Sequence, residues 1–92
     1  MNYDIHVYWR NNDERNEALA LQRVLTENNV QTFPFVEKPI GPHPYPMFES
    51  HLTSQTLPVV ESLLDVNRKS CLILIHEKLV IMFMTIQKGP AF

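Results

Sequence analysis

The order of its periodic segments is the feature of this sequence that most constrains the fold. Residues 3–10 alternate Ile5, Val7 and Trp9 with polar side chains, and this period of two predicts a β-strand. Apolar residues at helical spacing follow, from a predicted side-chain cap at Asn12 to Asn28. The same analysis predicts further strands at residues 30–37, 47–52 and 70–76, a second helix from Pro58 to Asn67, and a fifth strand at residues 78–86.

This strand, helix, strand, strand, helix, strand order predicts a ferredoxin-like α+β sandwich (βαββαβ). Two right-handed crossovers then place both helices on one face of a single sheet. We expect an antiparallel sheet in the order 4-1-3-2 with an extra C-terminal strand, although we place strand 3 parallel to strand 1. Strand 2 is predicted at an edge, because Pro34 has no amide hydrogen to donate. The second face of the sheet is left uncovered.

Length and composition indicate one domain spanning residues 1–92. A chain of 92 residues is too short for two self-stabilising cores, and its 45% hydrophobic content is enough for one. Its net charge of -2 argues against a nucleic-acid partner. The first residues do not resemble a signal peptide, and the longest apolar run, residues 79–86, is far shorter than the roughly 20 residues of a membrane span. Cys71 is the single cysteine, which favours a reducing, cytoplasmic location.

Strand alternation is expected to bring metal-ligating side chains together on the uncovered face. If the helices cover the face that carries Ile5 and Val7, His6 points to the other side of the sheet. The same alternation turns Glu49 of strand 3 and His76 of strand 4 outward. Strands 4, 1 and 3 are neighbours in the predicted order. These three side chains are therefore expected to converge in one row.

Two imidazoles and one carboxylate at His6, His76 and Glu49 predict a non-haem iron(II) site, since this facial set leaves positions for a substrate and dioxygen. His51, one diagonal step away, and His43, on a stiff proline-flanked loop, are predicted to be catalytic acid–base groups rather than ligands. The residues leave open whether iron or another divalent ion binds. They also leave open a structural, hydrogen-bonded role for the histidines and a solvated position for Glu49.

The predicted fifth strand is apolar on both of its faces. Attached to a sheet with one uncovered face, it would expose a large apolar patch unless a second subunit covered it. We therefore expect a homodimer.

Three motifs resemble those of the DOPA 4,5-dioxygenase family, small proteins that cleave aromatic rings by extradiol chemistry. The motifs are Tyr3-Asp-Ile-His-Val-Tyr-Trp9, Gly41-Pro-His-Pro-Tyr-Pro-Met-Phe-Glu49 and Leu72-Ile-Leu-Ile-His76. The resemblance spans residues 1 to about 77. It implies a ferredoxin-like, often dimeric protein that opens a catechol such as DOPA with molecular oxygen and no organic cofactor. It also implies functional roles for His6, His43, Glu49 and His76.

The chain departs from the family pattern at two places. Asp4 stands where the family usually has a further histidine, two residues before the position of His6. After His76 the family continues with a Pro-x-Thr-Gly turn and a later Asp-His pair, whereas this chain continues with Glu77-Lys-Leu-Val-Ile-Met-Phe-Met. Two functions therefore stay open: a catechol-cleaving extradiol dioxygenase, and a non-catalytic dimeric module that binds a small aromatic ligand or a protein partner.

Overall fold

The computed structural model describes residues 2–77, which form strands and helices in the predicted order. In chain order the elements are β1 (Asn2–Tyr8), α1 (Asn12–Glu27), β2 (Gln31–Thr32), β3 (Met47–Thr53), α2 (Leu57–Asn67) and β4 (Leu72–Glu77). The predicted fifth strand, residues 78–86, lies outside the described residues.

The strands form one sheet in the order β2-β3-β1-β4, which confirms the predicted ferredoxin-like order. All neighbouring pairs are antiparallel, so the expectation that strand 3 lies parallel to strand 1 is wrong. The reason is topological. The crossover through α1 leaves β2 parallel to β1, and β3, which pairs antiparallel with β2, must then run opposite to β1. His6 nevertheless lies directly opposite Glu49 in this register.

The side chain that caps α1 belongs to Asn11, so the prediction of Asn12 is wrong by one residue. The Asn11 side-chain oxygen accepts a hydrogen bond of 2.8 Å from the backbone N–H of Glu14, and the Asn11 backbone is extended, as at an N-cap. The helix ends as predicted. Asn28 is its C-cap, and Asn29 follows with a left-handed φ of 63°, which asparagine tolerates better than most residues.

The second strand is much shorter than the predicted residues 30–37. It contains Gln31 and Thr32, and a single bridge between Val36 and Met47 continues the pairing with β3. Pro34 explains the interruption, because it cannot donate a hydrogen bond to the ladder. The strand does lie at the edge of the sheet, as predicted.

Both helices pack on the face of the sheet that carries Ile5 and Val7. These two side chains are fully buried in one cluster with Leu21 of α1, Phe48 of β3 and Leu64 of α2. The alternate residues of the strands therefore face the other side, which neither helix covers, and this is the predicted alternation. Within residues 2–77, neither helix has the length and apolar character needed to cross a membrane.

Candidate metal centre

His6 of β1 and His76 of β4 meet on the uncovered face of the sheet. Their Nε2 atoms are 3.2 Å apart, and their rings lie nearly parallel, with an interplanar angle of 10°. The antiparallel register explains this contact. His76 pairs with Asp4, and Leu74 pairs with His6, so His76 is the diagonal neighbour of His6 on the same face. Two of the predicted ligands are thus brought together.

His6 is buried, with 5% of its surface exposed, and its surroundings favour the neutral imidazole. Burial is the main cause that lowers the pKa of His6, because a charged ring loses hydration. The carboxylates of Glu49 and Asp4 oppose this effect, whereas His43 and His76 add to it. The neutral form is the one that binds metal ions, so the ring is ready to act as a ligand near neutral pH.

Asp4 supplies a carboxylate to the same region. It is 9% exposed, its Oδ2 lies 4.0 Å from Nε2 of His76, and its Oδ1 lies 3.2 Å from Nε2 of His51. Asp4, His6 and His76 each offer one ligand atom, and these atoms all lie within 4.8 Å of one another. Two imidazoles and a carboxylate at this spacing could hold one metal ion.

Glu49 belongs to a neighbouring group rather than to that of His6 and His76. Its Oε2 lies 2.7 Å from Nε2 of His51, and these two residues form a second candidate group with Asp4. Nε2 of His51 thus has carboxylate oxygens from β1 and β3 within hydrogen-bonding distance. This contact links the two strands beside the first group.

The proline-flanked loop before β3 brings His43 next to His6. The two ring centroids are 4.7 Å apart, and Nδ1 of His43 lies 2.8 Å from the hydroxyl oxygen of Tyr8. Gly41 has a φ of 54°, a conformation that glycine adopts without strain, and the amide of His43 donates to the carbonyl of Ile40. All four histidines of the sequence therefore lie in one region of the uncovered face.

Apolar side chains flank these polar groups. The sulfur of Met47 lies 3.3 Å from Nδ1 of His6. Leu72 and Leu74 are exposed on β4, on the same face as His76. An aromatic ligand on this face would find apolar surface to pack against, beside a few fixed polar groups.

Comparison with known proteins assigns the chain to a family. A model of the Dopa 4,5-dioxygenase family matches residues 3–81. The chain belongs to the Dopa 4,5-dioxygenase family. A crystal structure of a protein from Nostoc punctiforme, described as a putative dioxygenase, is similar to this chain, with a TM-score of 0.78 and 29% sequence identity. The similarity covers 84% of this chain and 67% of that one. A comparison with curated proteins gives no match.

In this member of the Dopa 4,5-dioxygenase family, the structure adds a second carboxylate, Asp4, beside the two histidines that the sequence predicts as ligands. The structure groups Asp4 with His6 and His76 and groups Glu49 with Asp4 and His51, while Glu49 lies opposite His6 as the sequence predicts. A signal for Asp4 exists in the sequence. It precedes His6 by two residues on one strand, and residues at that spacing face the same side.

Proposed function

We propose that this chain is an extradiol dioxygenase that opens the ring of a DOPA-like catechol with molecular oxygen at a non-haem iron site. Membership of the Dopa 4,5-dioxygenase family and the likeness to the Nostoc punctiforme protein support a dioxygenase. The observation that carries the proposal is the approach of His6 and His76 to 3.2 Å beside Asp4. Histidines scattered over unrelated surfaces would instead favour the non-catalytic binding module.

The donor atoms fit a divalent metal ion. Imidazole nitrogens bind a metal such as zinc at about 2.1 Å, so two neighbouring ligands lie roughly 3 Å apart. The Nε2 atoms of His6 and His76 are separated by 3.2 Å. We propose that these two residues hold the ion with the carboxylate of Asp4, and that Glu49, opposite His6, is the alternative carboxylate. Either choice gives the two-histidine, one-carboxylate set of non-haem iron(II) oxygenases.

The side chains of the uncovered face bind and orient the catechol in this proposal. Leu74, the exposed β4 residue that pairs with His6, offers apolar surface to the aromatic ring. When bound, iron(II) supplies the one-electron chemistry that lets dioxygen react with such a ring. Both oxygen atoms enter the product, and one carbon–carbon bond of the ring breaks beside a hydroxyl-bearing carbon. The reaction therefore needs no external reductant and no organic cofactor.

His43 and His51 move protons in the proposed reaction. His43, whose ring lies 4.7 Å from that of His6, is placed to exchange a proton with an oxygen of the substrate. His51 lies within hydrogen-bonding distance of both Asp4 and Glu49, where it can pass a proton to either carboxylate. Histidine suits this work because its ordinary pKa is near neutral pH.

We further propose that the protein is a cytoplasmic homodimer built from a single domain. Leu72 is also exposed on the uncovered face, farther along β4 from His76, and a second copy would remove its side chain from water. Cys71 is free and buried, as expected of a protein from a reducing compartment.

The ring-cleavage reaction tests the proposed function. Reduced protein loaded with iron(II) is mixed with DOPA or catechol under air, and the yellow semialdehyde product is followed by absorbance together with oxygen uptake. We expect product from the natural sequence and none from a His76→Ala variant loaded in the same way. If neither product nor oxygen uptake is detected at any iron loading, the enzymatic proposal is wrong and the binding module is favoured.

A further inference from the structure

A hydrogen bond joins Tyr8, at the end of β1, to His43 in the proline-flanked loop. The hydroxyl oxygen of Tyr8 lies 2.8 Å from Nδ1 of His43, and Tyr8 is only 7% exposed. A phenol hydroxyl that is shielded from water needs a partner inside the protein, because burial without one costs free energy. His43 is that partner among the described residues.

The loop fixes the backbone of His43, and side-chain contacts set the orientation of its ring. The amide of His43 donates to the carbonyl of Ile40 at 3.0 Å, and the amide of Trp9 donates to the carbonyl of Pro46 at 3.2 Å. The second bond ties the loop to the end of β1. The hydrogen bond to Tyr8 selects one orientation of the ring.

We propose that Tyr8 is a positioning residue that sets the tautomer of His43. Its hydroxyl donates to Nδ1, and a nitrogen that accepts in this way carries no proton, so the neutral ring is protonated on Nε2. Nε2 is then the free donor of a ring that lies next to His6. The consequence for catalysis rests on the proposed function: His43 first acts as an acid toward an oxygen of the bound catechol or dioxygen, rather than as a metal ligand.

Nitrogen-15 NMR of the full chain with labelled histidine reads the tautomer directly. At about pH 8, we expect His43 to show a protonated Nε2 and an unprotonated, hydrogen-bonded Nδ1. A His43→Gln spectrum assigns the resonances. A protonated Nδ1 in the natural sequence would overturn the proposal, because the ring would then donate to Tyr8 and leave Nε2 free to bind a metal. This measurement requires no substrate.

Tyr8→Phe removes the hydroxyl and keeps the ring. We expect the Nδ1 resonance of His43 to move to the position of a nitrogen without a hydrogen bond, and we expect weaker proton contacts between the rings of His43 and His6. Tyr45→Phe is the matched control. The ring of Tyr45 lies 6.4 Å from that of Tyr8, and the variant loses the same kind of hydroxyl. An unchanged Nδ1 resonance in Tyr8→Phe contradicts the proposal. Should that variant not fold, the spectrum of the natural sequence decides alone.

Turnover of a catechol gives a second readout that a merely structural role would not produce. We expect Tyr8→Phe to lower kcat about 10- to 100-fold, less than the roughly 100- to 10,000-fold of a fully lost proton transfer, because the imidazole of His43 is still present. KM should change little, because substrate contacts are retained. In a His43→Gln background, Tyr8→Phe should cause no further loss, since Tyr8 then has no imidazole to orient. A normal kcat in Tyr8→Phe refutes the catalytic consequence. The expected tautomer without any ring cleavage refutes the proposed function instead and leaves the assignment of Tyr8 supported.

Discussion

Nε2 of His6 and Nε2 of His76 lie 3.2 Å apart, although 70 residues separate the two histidines in the chain. The antiparallel pairing of β1 and β4 creates this contact. Two unprotonated imidazole nitrogens at that distance direct their lone pairs at each other, so the pair needs a shared proton or a cation. A bound metal ion satisfies both nitrogens at once.

His6→Ala removes one of these nitrogens. We expect it to lower metal affinity by more than the roughly 100-fold that is typical when a residue hydrogen-bonded to a metal ligand is changed. Zinc titration calorimetry and metal analysis after iron loading measure the effect. His43→Ala is the matched control, because His43 is proposed to exchange protons rather than to bind the metal, and it should retain the ion. Unchanged uptake by His6→Ala would place the metal site elsewhere.

Asp4→Asn and Glu49→Gln identify the carboxylate of the site. Each change replaces a charged oxygen by an amide of the same shape. Because Asp4 lies in the group of His6 and His76, we expect Asp4→Asn to lower metal affinity more than about 100-fold and Glu49→Gln by about tenfold. Calorimetry with zinc ranks the two variants, and circular dichroism verifies their folding. The opposite ranking would make Glu49 the ligand, as the sequence predicts.

The sequence predicts the fold and the two imidazoles of the candidate site because both depend on the period of two along a strand. His6 and His76 face the same side as a result of alternation alone, and the order of the strands makes them neighbours. The position of Glu49 opposite His6 is also correct despite the wrong strand direction, since reversing a strand about its middle moves a central residue little.

Local competition between neighbouring groups explains the features that the sequence does not predict. The carboxylate of Glu49 lies with His51 at 2.7 Å, and alternation says nothing about which of two nearby histidines a side chain meets. Asn11 and Asn12 have the same capping ability, and only the extended backbone at Asn11 distinguishes them. Pro34 predicts that the second strand lies at an edge of the sheet. It does not predict that the strand contains only two residues, Gln31 and Thr32.

The stability of the metal-free protein should depend on pH through His6. Its pKa is lowered in the folded state from the ordinary 6.5, chiefly by burial, so the unfolded chain binds a proton first as the pH falls. The free energy of unfolding is therefore expected to decrease as the pH falls below 6.5 and through the lower, folded pKa. Urea unfolding in the presence of a chelator measures this dependence.

A His6→Gln variant is the control for this pH dependence, since it removes the titrating ring and should give a flatter curve. The carboxyl groups of Glu14 and Glu37 do not interfere, because their pKa values are lowered from 4.5 by hydrogen bonds from arginine and they titrate at more acidic pH. Identical slopes for the two proteins above pH 4.5 would contradict the role of His6.

The two adjacent asparagines before α1 allow a matched test of the helix cap. Asn11→Ala removes the oxygen that accepts from the backbone N–H of Glu14, and we expect the free energy of unfolding to fall by about 1 kcal/mol. Asn12→Ala, the same change one residue later, should alter it by less than about 0.5 kcal/mol. Asn11→Ser should retain most of the stability, because a serine hydroxyl caps nearly as well. Urea denaturation of the three variants measures these differences. A larger loss in Asn12→Ala than in Asn11→Ala would show that the helix begins one residue later in solution.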